Sequence, residues 1–484
     1  MKSTAFGIVT LSFIITIIMA GCKHGSSSGS SKPATENSPF AMHDVRFTNP
    51  DIDEASAILD IGAKTARISA YGSLIWDVIE KEKGVYDWTA SDKVLGAGYA
   101  AGANLFVVGG AQNRLEGTPL GTGTLPKHMD WYLQFLQNAV ERYDGDGIDD
   151  APGSPRIDVV QIENELDGIA FWQDTPENYA LLLKKSYQAV KQAAPDMKVA
   201  IGGVATPAGF YRFYKPVLAE LDRIKDNPGD QYFDIFDFHW SGQFLGDDDY
   251  AAISLPAGTY EMRAFASNIR SELDAIGYTS VPFYITEMSD YSDTPEGYTN
   301  HTEAYHAAAI MKRYIYALTA GIDKIFWAQI FEEHSAGGIV NGYFDHVGLI
   351  NNPLNDGQSH KKLAYYTYKK MVEMLEGSEW KSIQIVQESG DAHIYKLTRN
   401  GRSVYVAWWD YLNDPAYTSG MTKQVEITEV QGSAAVITEA IPMFSSGEEV
   451  TDYTTAFRTE TLGISNGTTT LNLGENPVFV ELLQ

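Results

Sequence analysis

Two glutamates, each closing an apolar run, carry the chemistry in this sequence. Glu165 ends the segment Ile162-Glu163-Asn164-Glu165 and Glu287 ends Tyr284-Ile285-Thr286-Glu287. Two carboxyls brought to one mouth are what cleavage of a glycosidic bond needs: one protonates the departing oxygen while the other attacks the sugar or activates water. Two more apolar runs place a polar group at the matching point, Arg67 in Ala66-Arg67-Ile68-Ser69 and His239 in Phe238-His239-Trp240. A guanidinium beside a carboxylate lowers its pKa and keeps it charged, whereas a partly desolvated carboxyl near a negative partner stays protonated. Glu163 shares the face of Glu165 by the period of two and reads as a structural group under the site.

A scaffold must bring these strand ends together. Between residues 41 and 375, short β-branched or aromatic runs alternate with longer amphipathic stretches, the pattern of parallel βα units. Eight strand candidates stand at residues 42–47, 64–70, 104–109, 158–164, 198–204, 234–240, 282–288 and 324–330. Helical periodicity is clearest at residues 128–142, 176–194, 260–276 and 302–319. Eight units predict an α/β chain closed as a (β/α)8 TIM barrel, whose chemistry sits at the C-terminal strand ends. No phosphate-cradling glycine motif follows a strand. After about residue 380 the helical period gives way to short runs, at 383–386, 393–397, 404–409, 424–427, 434–438, 468–473 and 478–482, which predict a small antiparallel β-sandwich.

A formal net charge of -27 disfavours phosphate backbones, so nucleic acid is excluded as a partner while neutral polymers carry no penalty. The only cysteine, Cys22, cannot form an internal disulfide. It follows a basic start and an apolar stretch at residues 8–20 that reads as the h-region of an export signal. Met19-Ala20-Gly21-Cys22 resembles a bacterial lipobox. That resemblance implies a lipidated Cys22, a membrane-anchored partner surface and an exported lipoprotein at the outer membrane or cell surface. Residues 23–39 are rich in Ser and Gly and form a tether. The expected organisation is therefore a signal peptide at 1–21, a tether at 22–40, a catalytic barrel at 41–377 and a β-domain at 378–484.

With these residues in register, the chain resembles clan A of the glycoside hydrolases, in which an Asn-Glu pair ends strand four and a glutamate ends strand seven. The strand-two arginine, the aromatic-flanked histidine of strand six and the strand-eight tryptophan, here Trp327, fall in the same order. The resemblance implies Glu165 as acid/base, Asn164 as donor to the sugar 2-hydroxyl, and Glu287 as a nucleophile held ionised by Arg67. His239, Trp240 and Trp327 become candidate sugar contacts, with Trp76 and Trp172 as further rings near strand ends. The carboxyls are predicted about 5–5.5 Å apart, the spacing of a configuration-retaining pair. Gly84-Val85-Tyr86-Asp87-Trp88, Gly348-Leu349 and Lys362-Leu363-Ala364-Tyr365-Tyr366 look most similar to glycoside hydrolase family 39. The implied activity is hydrolysis of a β-linked poly- or oligosaccharide without a cofactor.

Two other readings fit the same barrel, a surface glycan-binding lipoprotein without turnover and a transglycosylase. Retention of both carboxylates argues against the first. Loop residues Glu332, Glu333 and His334 are placed to meet sugar hydroxyls. The acidic loop from Asp144 to Asp150 departs from the EF-hand template and reads either as a solvated turn or as a structural calcium site.

Overall fold

A computed structural model describes residues 37–241, 252–255, 258–335, 338–357 and 359–484. The export signal, Cys22 and nearly all of the tether lie outside the described residues. Eight parallel strands alternate with eight helices: β1 (Phe40–Val45), β2 (Thr65–Ile68), β3 (Asn104–Gly110), β4 (Ile157–Ile162), β5 (Lys198–Ile201), β6 (Phe236–Ser241), β7 (Phe283–Ser289) and β8 (Lys324–Trp327). The helices that follow them in turn are α1 (Glu54–Ile61), α2 (Thr89–Ala100), α3 (Met129–Arg142), α4 (Pro176–Ala193), α5 (Lys215–Arg223), α6 (Met262–Ala275), α7 (Glu303–Thr319) and α8 (Leu363–Leu375). Sheet order runs β5-β4-β3-β2-β1-β8-β7-β6, and the seam between β5 and β6 is closed by the parallel bridges Ala200↔Ile235 and Val204↔Phe238. The (β/α)8 expectation holds.

Local signals account for the helix boundaries. Thr175 caps α4 by accepting from Asn178 N with Pro176 in the first turn, and Thr302 caps α7 by accepting from Tyr305 N. Inside the barrel, Ala41, Phe106, Val159, Ala200, Ile235, Tyr284 and Phe326 form a packed layer in which large and small side chains interleave. Strand neighbours of opposite parity face the helices, as the period of two requires.

The C-terminal region forms β9 (Gln384–Ser389), β10 (Ala392–Arg399), β11 (Arg402–Trp409), β12 (Lys423–Ile427), β13 (Ala434–Glu439), β14 (Thr459–Gly463), β15 (Thr469–Leu473) and β16 (Val478–Leu483). Six of them make an antiparallel sheet ordered β9-β10-β11-β16-β13-β14, and β12 pairs with β15 to face it across a second apolar core. The edge strand β14, with its polar Thr-Glu-Thr pattern, carries no apolar run for sequence reading to detect. The inner face of this β-domain, through Tyr395, Val406, Trp408 and Ile441, joins the apolar core of the barrel.

Candidate active site

Every polar group at the mouth is aimed by a departure from, or a strict adherence to, strand parity. On β6 the alternation is strict, so Asp237 and His239 point inward while Phe238 and Trp240 pack outward on Phe265 of α6. On β7 the register slips between Ile285 and Met288 against both neighbours. That bulge lets two successive side chains, Thr286 and Glu287, both reach His239. Beyond β4 the backbone turns through left-handed Glu163 (φ 62°) and Glu165 (φ 46°), conformations that cost roughly 1–3 kcal/mol each for a residue with a Cβ. The turn ends the strand two residues before Asn164, shorter than the sequence pattern predicts, and brings Asn164 and Glu165 over the mouth. Glu163 is tucked beneath, accepting from Ala111 N at 2.5 Å and Gln112 Nε2 at 3.1 Å. Burial, opposed by these two donors, pushes its carboxyl up to about 7.

Arg67 is the hub. Its Nη1 donates to Glu287 Oε1 at 2.8 Å and to His43 Nδ1 at 2.9 Å, its Nη2 to Asn164 Oδ1 at 2.7 Å, and its Nε to Gln161 Oε1 at 3.1 Å. Gln161 Nε2 also donates to Asn164 Oδ1, at 3.2 Å, so the Asn164 amide is fixed with its oxygen turned inward. Burial alone would raise the Glu287 carboxyl. The nearby charges of His239 and Arg67 and the hydrogen bond from Arg67 outweigh it and hold Glu287 well below the usual carboxylate range.

His239 bridges the two glutamates. Its Nδ1 lies 2.7 Å from Glu165 Oε1 and 3.6 Å from Glu287 Oε2, and its Nε2 lies 3.2 Å from Thr286 Oγ1. Thr286 gives its own proton to Asp237 Oδ2 at 2.6 Å, so its oxygen accepts from His239 Nε2. Burial disfavours the charged ring, yet the carboxylates of Glu287, Glu165 and Asp237 raise His239 to about 9. His43 goes the other way, to about 3, because burial and the charges of Arg67 and His239 outweigh Glu287. One carboxylate oxygen each of Glu165 and Glu287, with a ring nitrogen of His239, lie within 4.8 Å of one another. Glu165 and Glu287 keep 13% and 16% of their side-chain surface, so both open onto the mouth. A cation would find its charge already supplied by Arg67 and the His239 imidazolium.

No family model matches the chain, and no curated protein does. Among solved structures it is similar to a family 39 glycoside hydrolase from Bacteroides cellulosilyticus, at 18% identity and TM-score 0.64 over 93% of this chain and 82% of that one. It is likewise similar to a monomeric β-xylosidase from Caulobacter crescentus, at 15% identity and TM-score 0.59 over 93% and 97% of the two chains. An α-L-arabinofuranosidase from Thermotoga maritima matches at 13% identity and TM-score 0.58 over 91% and 95%. The chain shares the fold of all three.

Within that fold, Arg67, Asn164, Glu165, His239 and Glu287 meet at one point, but the tryptophans expected with them do not. Trp240 is fully buried against α6, and Trp327 is fully buried against Tyr314 and His306 of α7. Both belong to the strand face opposite the mouth, since their neighbours His239 and Phe326 point inward, and the parity of their own strands gives the correction. Trp76 and Trp172 are also buried, with their indole N–H groups donated to Glu80 and to Thr175 O. The exposed rings on strand-end loops are instead Tyr71 and Phe171. Glu332 is spent on a buried ion pair with Lys362, and His334 is exposed and bonded to Asn355. Glu333 hydrogen-bonds Asp44 at the mouth, where burial and Asp44 raise it to about 7.

Two residues escaped sequence reading. His43 stands inside β1 with the inward parity of Ala41, and Gln161 shares its face with Val159. Inspecting the polar inward positions of every strand, rather than only four strand ends, finds both. In the acidic loop, Asp144, Asp146 and Asp150 present carboxylate oxygens within 4.8 Å of one another, though backbone amides of the loop already occupy Asp144 Oδ1, Asp146 Oδ1 and Asp150 Oδ2.

Proposed function

We propose that the chain is a retaining glycoside hydrolase acting on β-linked poly- or oligosaccharides. The observation that carries this reading is the pair Glu165 and Glu287, with oxygens within 4.8 Å, one of them bound to a guanidinium. A pair this close supports direct attack by one carboxylate over the wider arrangement, roughly 6.5–9.5 Å, in which an inverting pair holds a water. Glu287, ionised and anchored through Oε1, attacks the anomeric carbon with Oε2. Glu165, taking a proton from the His239 imidazolium 2.7 Å away, passes it to the leaving oxygen, and a glycosyl ester on Glu287 results. Water deprotonated by Glu165 then opens that ester and restores both groups. The Asn164 amide, its oxygen held by Arg67 and Gln161, offers its N–H donors to a sugar hydroxyl beside the reacting carbon. Side chains fill every role, so the reaction needs no cofactor.

The same reading extends to location: an exported protein lipidated at Cys22 and standing off the membrane on its Ser/Gly tether.

Hydrolysis of aryl β-xyloside, β-glucoside and α-L-arabinofuranoside by the chain from residue 23 onward, beside Glu165→Gln and Glu287→Gln, tests the proposal. Turnover lost in both variants, with the starting anomer appearing first by NMR, is the expected result. Turnover indifferent to either substitution, or release of the opposite anomer, overturns it.

A further inference from the structure

Where the β-domain meets the barrel, the interface is apolar along β10, β11 and α8 but opens into a cavity of about 620 Å³ beside α7. The opening has a local cause. Helix α7 presents Ala304 and Ala308 one turn apart, where larger side chains would close the gap, with Lys312 a further turn on. Opposite them stand Tyr411, Leu412 and Asn413, directly after β11, and Glu475 and Asn476, between β15 and β16.

We propose that this cleft is a second, non-catalytic carbohydrate site that holds a neutral stretch of polysaccharide. Its chemistry is that of a sugar subsite: the rings of Tyr305 and Tyr411 and the exposed Leu412 offer flat apolar surface, and carboxylate and amide groups rim it. Tyr417 and Ser419 both donate to Glu475 Oε1, which leaves Oε2 to accept a ligand hydroxyl. Charge selects the ligand class. Lys312 is neutralised by Asp410 at 2.8 Å, and Glu475 is the charge left over, so phosphorylated, sulfated or uronic chains are repelled while hydroxylated neutral ones are not.

The cleft is joined to the mouth through one loop. The segment leaving β7 after Glu287 runs to His301, whose ring stacks on Tyr291 at 4.1 Å and meets Tyr305 at 4.1 Å in the first turn of α7. A polymer held in the cleft therefore sits at the far end of the loop that borders the proposed nucleophile, which raises its effective concentration near the mouth without adding a contact there.

Affinity electrophoresis tests this with full-length Glu165→Gln protein run through gels containing soluble arabinoxylan, mixed-linkage β-glucan or linear arabinan. Retardation is expected in at least one gel, and Tyr411→Ala or Ala308→Trp should weaken it by about 10-fold. The same two substitutions in the otherwise unaltered chain should leave small aryl-glycoside turnover unchanged and lower only polymer degradation, which also shows that they fold. Retardation that survives both substitutions comes from the mouth and overturns the proposal, as does a chain that no gel retards. Retardation that depends on Tyr411 in a chain without glycosidase activity would instead uphold the cleft and sink the proposed function, so the two fail separately.

Discussion

Arg67 Nη1 lies 2.8 Å from Glu287 Oε1, and the guanidinium that makes this contact is almost wholly buried. The pair joins β2 to β7 across the barrel, so the charge that prepares Glu287 for attack also ties two distant strands together. Arg67→Met should lower kcat/KM by about 10²–10³-fold, the usual cost of one lost charge-stabilising donor. It should also leave Glu287 buried without its cation, a loss of roughly 3–5 kcal/mol in stability. Arg67→Lys should rescue little, because a point charge cannot serve Glu287, Asn164 and Gln161 together. The sign with pH is fixed by direction. A carboxylate held below its ordinary value of about 4.5 stabilises the fold above that pH and loses this as pH falls toward its folded value. In the Met variant that acid loss should shrink, because burial less opposed by positive charge returns the folded value of Glu287 toward its ordinary one, and a melting curve with the wild-type acid slope would refute the linkage.

His239 titrates with the opposite sign. Raised from 6.5 to about 9, its imidazolium contributes stability in full below 6.5 and surrenders it as pH rises through about 9. Thermal melting between these limits should show the wild type losing stability more steeply than His239→Asn. The variant should also lose about 10²-fold or more in kcat/KM, because the group that positions Glu165 and lowers Glu287 is gone. Superimposable alkaline slopes for the two proteins would show that His239 is not charged in the folded state.

Much of this site was legible in the sequence, for reasons that also mark where reading stopped. Strand periodicity and the residues at strand ends gave the barrel and brought out Arg67, Asn164, Glu165, His239 and Glu287. Glu287 depends on a β7 bulge and Glu165 on two left-handed residues, and neither feature has a composition signal such as glycine. His43 was hidden because a histidine inside a short apolar strand looks like core. Trp240 and Trp327 misled for the converse reason: proximity to a strand end says nothing about face until parity is counted from an inward neighbour.

Gly203 supports His239 from β5's side of the seam. A Cβ built there would stand 2.3 Å from His239 Nε2 and 2.8 Å from Asp237 Oδ2, with no flexible tip to yield. Gly203→Ala should therefore push the imidazole off Thr286 and Glu165. A stability loss of roughly 1–3 kcal/mol is expected from overpacking. The larger consequence should fall on kcat, with KM for an aryl glycoside little changed, and the alkaline loss of stability should flatten as in His239→Asn. An alanine variant with unaltered kcat would show that the ring does not need this position.

Trp327 separates packing from recognition. If it stacked on substrate, its truncation would raise KM; placed as it is between β8 and α7, against Tyr314 and His306, it should act on stability alone. Its indole N–H has no partner among the described residues, so Trp327→Phe removes a buried unsatisfied donor along with some apolar volume. The two changes offset, and the phenylalanine variant should stay within about 1–2 kcal/mol of wild type. Trp327→Ala should cost about 3–5 kcal/mol, the range for emptying a large core site. Chemical denaturation measures both, and initial rates on one aryl glycoside complete the comparison. A several-fold rise in KM for Trp327→Phe at unchanged stability would put the ring back at the sugar and contradict the outward placement.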